Sequence, residues 1–209
     1  MSSVRIKICG ITSAADARLS HDAGADYLGF VFHPGSPRAI SPESAGRIIR
    51  DLPEHVTPVG VFVDPGPGVV ERIADISGVR IAQLAGDESP EFCRRLPLPV
   101  IKVVRPSLPG ETWPGPVVFT VFATMVDGCA PGKHGGTGVL ADLDFAASCA
   151  AASRCFLAGG LRADNVGGVI TRVRPFGVDV SSGTELRPGV KDPAKVREFC
   201  RAIHDHYDL

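Results

Sequence analysis

Surplus charge is what this chain most plainly lacks. Its 22 lysines and arginines stand against 23 aspartates and glutamates, a net charge of −1, so nothing electrostatic supports extended binding to nucleic acid or to an anionic membrane surface. Apolar runs are short: none approaches the roughly 20 residues of a membrane-spanning helix, and no signal-like segment opens the chain, so the expectation is a cytoplasmic protein. The six cysteines, Cys9, Cys93, Cys129, Cys149, Cys155 and Cys200, include no C-x-x-C pair. That spacing fits neither a disulfide framework nor a zinc knuckle and predicts reduced thiols. Histidine is too scattered for a metal-dependent sugar-phosphate epimerase: of six, only His33 follows a predicted strand and His134 lies on a glycine-rich loop, so no metal site is expected. The partner these exclusions leave is a small molecule.

No charge run or low-complexity linker divides the 209 residues, and residues 1–209 read as a single domain. The first strand is the β-branched stretch from Arg5 to Cys9, ended by Gly10, with Ser13 placed to cap a helix that runs to Ala23. Further strands are predicted at Tyr27–Phe32, Val59–Val63, Val79–Gln83, Val100–Val104, Val117–Val121 with an extension at most to Phe122, Cys155–Ala158 and Gly177–Val180. Helical segments separate nearly all of them, among them one capped by Ser41 with Pro42 at its first position and one capped by Asp192 with Pro193 following. The rhythm falters between Arg105 and Pro116, where proline and glycine are too dense for a regular helix, so the fifth helix should be irregular or missing. Eight strands alternating with helices predict an α/β protein with a parallel sheet, and at this length a small (βα)8 TIM barrel fits best. An open doubly wound sheet is the competing arrangement, and the dinucleotide fingerprint that would favour it does not follow the first strand.

In a barrel the C-terminal strand ends form the active face, which would gather Cys9, Arg38, Asp127, Gly159, Gly160, Ser181 and Ser182. Loops after the seventh and eighth strands commonly bind phosphate, and Gly159-Gly160 with Ser181-Ser182-Gly183 supply small residues there, so a phosphorylated small-molecule substrate is expected. Gly136 lies within Gly135-Gly136-Thr137-Gly138, on a long predicted loop from Ala123 to Leu140, where glycine permits close approach to a ligand or lid motion. Strand alternation puts Lys7 and Cys9 on one face of the first strand and Asp179 on the matching face of the eighth, so Lys7 and Asp179 should form an ion pair across the closing seam. Each residue also has a plainer reading: Cys9 as core packing, Arg38 as a solvated loop arginine, and the Lys7–Asp179 pair as charges satisfied inside a barrel.

Six stretches together resemble the phosphoribosylanthranilate isomerase family over nearly the whole chain: KICGIT at 7–12, GADYLGFVFHPGSPR at 24–38, GVFVD at 60–64, GGTG at 135–138, LAGGL at 157–161 and GVDVSSGTE at 177–185. The resemblance implies an Amadori rearrangement in tryptophan biosynthesis, with Cys9 as general base, Asp127 as general acid and Arg38 holding the anthranilate carboxylate. It implies no metal and no organic cofactor, and it leaves the oligomeric state open, a homodimer included. Two stretches depart from the family pattern. Ala85 stands where a histidine is usual in the fourth-strand motif, and Phe122-Ala123-Thr124-Met125-Val126 replaces the leucine-rich run that usually precedes the acid.

Overall fold

The structure, a computed structural model, describes residues 4–106, 113, 118–128 and 140–207. Its elements run β1 (Arg5–Cys9), α1 (Ala14–Asp22), β2 (Tyr27–Val31), α2 (Pro42–Ile49), β3 (Thr57–Phe62), α3 (Val69–Ser77), β4 (Ile81–Leu84), α4 (Pro90–Arg95) and β5 (Val100–Val104). They continue with β6 (Ala123–Val126), α5 (Leu143–Ala152), β7 (Cys155–Leu157), α6 (Val166–Val173), β8 (Gly177–Val180), β9 (Glu185–Arg187), β10 (Val190–Lys191) and α7 (Pro193–Tyr207). Strands β1 to β8 pair in parallel in sequence order and close into a barrel through β1 and β8, while β9 and β10 form a separate antiparallel pair. The fold is the (βα)8 barrel. Among the described residues no helix is long and apolar enough to cross a membrane.

Local chemistry explains the helix starts. Ser13, Ser41 and Ser89 each accept a hydrogen bond from the backbone N–H three residues on, and Pro42 and Pro90 open their helices where no N–H partner is needed. The strands then sort side chains into two shells. Ile6, Ile8, Leu28, Phe30, Val178 and Val180 face outward into a core shared with Phe199 and Ile203 of α7, and Val59, Ile81, Ile101, Val103, Met125 and Phe156 fill the barrel. The two shells follow from the pleat: residues two apart share a face, so each strand supplies both layers.

The sixth strand differs from the sequence expectation. It runs Ala123–Val126, not Val117–Val121, and the loop expected to begin at Ala123 begins after it. Val117–Val121 is the denser β-branched run, but short apolar segments carry no register of their own. Pairing with β5 and β7 selects the later segment, with Ile101 opposite Ala123 and Met125 opposite Phe156. Phe119 and Val121 pack instead against the cluster of Phe62, Leu84 and Val100 on the outside of the barrel, where a fifth helix would lie. Among the described residues there is no helix between β5 and β6.

Candidate active site

Cys9 ends β1 on the inward face and is 8% exposed, packed against Val31 and Val61 at the mouth of the barrel. Its neighbour across the β1–β2 ladder is Gly29. A Cβ at Gly29 would sit 2.6 Å from Cys9 Sγ and 3.1 Å from its Cα, so only glycine leaves the thiol its place. Gly29→Ala is expected to displace the thiol and reduce turnover at least about 10-fold. The rate at which iodoacetamide alkylates Cys9 should change with it, and an unaltered alkylation rate would show that the thiol has not moved.

Two residues below Cys9, Lys7 is 0% exposed, and its Nζ donates to Asp179 Oδ1 at 2.8 Å across the β1–β8 seam, where the two residues are ladder partners. An inward lysine needs such a counter-charge, because removing either member of a buried pair strands the other at a cost of about 3–5 kcal/mol. Burial disfavours the lysine's charge, yet Asp179 and the Cys9 sulfur hold its pKa above the ordinary value. Burial is also the largest influence on Cys9 and pushes the thiol up; Lys7 and Lys191 oppose that rise and Asp179 adds to it.

Asp127 directly follows β6 and continues the inward phase of Ala123 and Met125. Its carboxyl is pushed up to about 6, first by burial and then by the charge of Asp179, with Arg105 and Lys7 opposing. Cys9 and Asp127 line one cavity of about 330 Å³ at the C-terminal ends of the strands. A thiol and a carboxyl facing one space can move protons to and from a ligand held between them.

The remaining expected residues divide. Arg38, Gly159, Gly160, Ser181, Ser182 and Asp179 line the same cavity, whereas Lys7 lies beneath it. Gly136, with Cys129 and His134, falls outside the described residues. At the β7 end Gly159 and Gly160 both take positive φ, +87° and +60°, a backbone path that side chains disfavour. Asn165 then braces the turn, accepting from Arg162 N–H at 2.9 Å and donating to Gly160 C=O at 2.9 Å. After β8, Ser182–Thr184 forms a short 3₁₀ turn.

Arg38 is not a freely displayed loop cation. Its side chain is 13% exposed, and its Nε and Nη2 donate to Glu185 Oε1 and Oε2 at 2.8 and 2.7 Å. Glu185 and Lys191, on β9 and β10, were not among the site residues expected from the sequence, although Glu185 ends the stretch GVDVSSGTE. The signal was present in Arg187-Pro188-Gly189-Val190, since Pro-Gly between two short segments marks a tight turn, and Gly189 has φ +78°. Gln83 is another cavity residue that strand periodicity alone did not single out; its Oε1 is buried with no hydrogen-bond partner among the described residues. Among the described residues no group of three or more His, Cys, Asp or Glu side chains could hold a metal ion.

Comparison with known proteins decides the family. The model of N-(5'-phosphoribosyl)anthranilate (PRA) isomerase matches residues 6–202. The chain is 47% identical over 199 residues to N-(5'-phosphoribosyl)anthranilate isomerase of Pelobacter propionicus, covering 95% of this chain and 94% of that one. The chain belongs to the phosphoribosylanthranilate isomerase family. It is an isomerase of tryptophan biosynthesis. Among solved structures, the phosphoribosyl anthranilate isomerase from Thermus thermophilus superposes with a TM-score of 0.88 at 37% identity, covering 97% of this chain and 99% of that one. Another family member, in complex with reduced 1-(o-carboxyphenylamino)-1-deoxyribulose 5-phosphate, gives a TM-score of 0.81 at 36% identity over 97% and 99% of the two chains. In the present chain Ala85 lines the cavity together with Gln83.

Proposed function

We propose that this isomerase converts N-(5'-phosphoribosyl)anthranilate to 1-(2-carboxyphenylamino)-1-deoxyribulose 5-phosphate with Cys9 as general base and Asp127 as general acid. The observation that carries the reading is the pair itself: a thiol and a carboxyl pushed up to about 6, lining one cavity. Asp127 gives its proton to the ribose ring oxygen as the C1'–O bond breaks, and the nitrogen lone pair forms an iminium ion. That cation acidifies the C2' hydrogen, which the Cys9 thiolate removes as a proton, leaving an enolamine that ketonises to product. Each proton transfer contributes about 10²–10⁴-fold, which suits a substrate whose ring is already poised to open.

Gly159, Gly160, Ser181 and Ser182 are the proposed phosphate end, supported by their position on the loops after β7 and β8, where barrels commonly hold phosphate. Arg38 is the proposed partner of the aryl carboxylate. Arg38→Ala should raise KM at least about 10-fold with little change in kcat, and N-(5-phosphoribosyl)aniline, which lacks the carboxylate, should escape the penalty. The activity itself is tested by adding purified protein to N-(5'-phosphoribosyl)anthranilate and following the decay of its fluorescence. Undiminished fluorescence would overturn the reading. We extend the proposal to a cytoplasmic location, supported by free thiols at Cys9, Cys93, Cys149, Cys155 and Cys200. A homodimer is the proposed assembly to be compared with a monomer by sedimentation equilibrium.

A further inference from the structure

Arg38 is committed on one edge before any ligand arrives. A guanidinium carries five N–H donors: one on Nε and two on each Nη. Glu185 takes one from Nε and one from Nη2 at 2.8 and 2.7 Å, and its side chain is 4% exposed, so water does not dilute the pair. Among the described residues the other three donors, both on Nη1 and the second on Nη2, have no hydrogen-bond partner. The Nη1–Nη2 edge is therefore a second two-pronged face, and Arg38 lines the cavity. Burial works against the Glu185 charge, but Arg38 and Lys191 outweigh it and hold the carboxyl below its ordinary value.

Glu185 is itself anchored. Its Oε1 also accepts from Gly189 N–H at 3.3 Å, Ser181 Oγ at 3.4 Å and Lys191 Nζ at 3.5 Å. Lys191, with a side chain 0% exposed, donates further to Cys9 C=O at 2.7 Å, Ser181 C=O at 3.2 Å and Thr184 Oγ1 at 3.3 Å. One ammonium thus joins the end of β1, the turn after β8 and the β9–β10 hairpin. The packing around the pair is close: a Cβ on Gly10 would lie 2.8 Å from Arg38 Cδ and 3.3 Å from Glu185 Oε1.

We propose that Glu185 is a positioning residue that determines specificity: it holds one edge of Arg38 so that the other edge meets a planar carboxylate on the substrate, and Lys191 ties it to the strand end carrying Cys9. The inference rests on the reading of Arg38 given above. Glu185 stands between two cations, so Arg38, Glu185 and Lys191 together carry one net positive charge behind two parallel donors, which suits a flat monoanion better than a phosphate dianion. The substitution Glu185→Gln keeps the shape but removes the negative charge and replaces one of the two accepting oxygens with an NH2 that faces the guanidinium, so Arg38 should leave its position.

The test measures steady-state constants for Glu185→Gln, Arg38→Ala and the double variant with two substrates, N-(5'-phosphoribosyl)anthranilate and N-(5-phosphoribosyl)aniline. Expected for Glu185→Gln is a rise in KM of at least about 10-fold with the carboxylated substrate, kcat within about 3-fold, and no KM change with the aniline compound. Adding Glu185→Gln to Arg38→Ala should change neither constant further, because Glu185 acts through Arg38. A carboxylate-selective loss in Arg38→Ala but not in Glu185→Gln overturns this proposal alone. Equal losses with both substrates in Arg38→Ala overturn the Arg38 reading, and this proposal falls with it. Should Glu185→Gln alone fail to fold, the comparison of Arg38→Ala with the double variant decides, and a further KM rise there overturns the proposal.

Discussion

Cys9→Ser is expected to lower kcat at least about 10²-fold while leaving KM within about 3-fold. The substitution retains shape and hydrogen-bonding capacity, so ground-state grip on the substrate should persist. What it removes is a group that can exist as an anion anywhere near neutral pH. Burial already pushes the thiol up, with Lys7 and Lys191 opposing that rise; a hydroxyl in the same place, far less acidic than a thiol, would hold its proton throughout. Single-turnover kinetics of the purified variant make the check, since they isolate the chemical step from product release. A Cys9→Ser protein with near wild-type kcat would rule out this thiol as the base. Cys129, two positions beyond Asp127 in sequence, would be the next to substitute.

Asp127→Asn should cost at least about 10²-fold in kcat and also change the shape of the pH profile. On the proposed mechanism, the reactive form of the free enzyme has Cys9 as thiolate and Asp127 as acid. Asp127 is pushed up to about 6, whereas burial raises the thiol from its ordinary value of 9.0, so the acid titrates before the base and the reactive form is a minority at every pH. The wild-type kcat/KM should rise to about pH 6, stay level, and fall only where the thiol ionises. Below the lower break, each unit of pH gives more thiolate while Asp127 stays protonated. On the plateau the gain in thiolate is cancelled by loss of the acid, and above the thiol's pKa only the loss remains. With asparagine at 127 the loss disappears. The falling limb should vanish, and the residual activity should climb without a break at pH 6 until the thiol is ionised. A variant that keeps both limbs would assign the acid to another group.

Much of the site is legible one strand at a time. Lys7, Cys9 and Asp179 are placed correctly by alternation because Ile6 and Ile8 on β1 and Val178 and Val180 on β8 mark one face, leaving the polar residues on the other. Arg38 and the Gly159-Gly160 turn are found because proline and glycine stiffen or release the backbone in ways that sequence displays directly. Asp127 is found by its resemblance to the family acid, whereas its aim into the cavity depends on β6 being Ala123–Val126. Two apolar segments compete for that strand, and local propensity favours the earlier one, whereas the strand that pairs with β5 is Ala123–Val126.

The sequence alone determines the class of fold, the cavity end of the barrel and a minority of the residues around it. Each of these depends on periodicity, capping or small-residue turns, which act over a few residues and so leave a local pattern. The tertiary structure decides which apolar segment closes the barrel between β5 and β7, and which edge of Arg38 is already engaged. Both are long-range outcomes. The sixth strand is selected by ladder pairing with neighbours whose own register is set elsewhere, and Glu185 reaches Arg38 from 147 positions away in sequence. The pKa of Asp127 likewise reflects burial and the field of Asp179, Arg105 and Lys7, charges that only the closed barrel brings together.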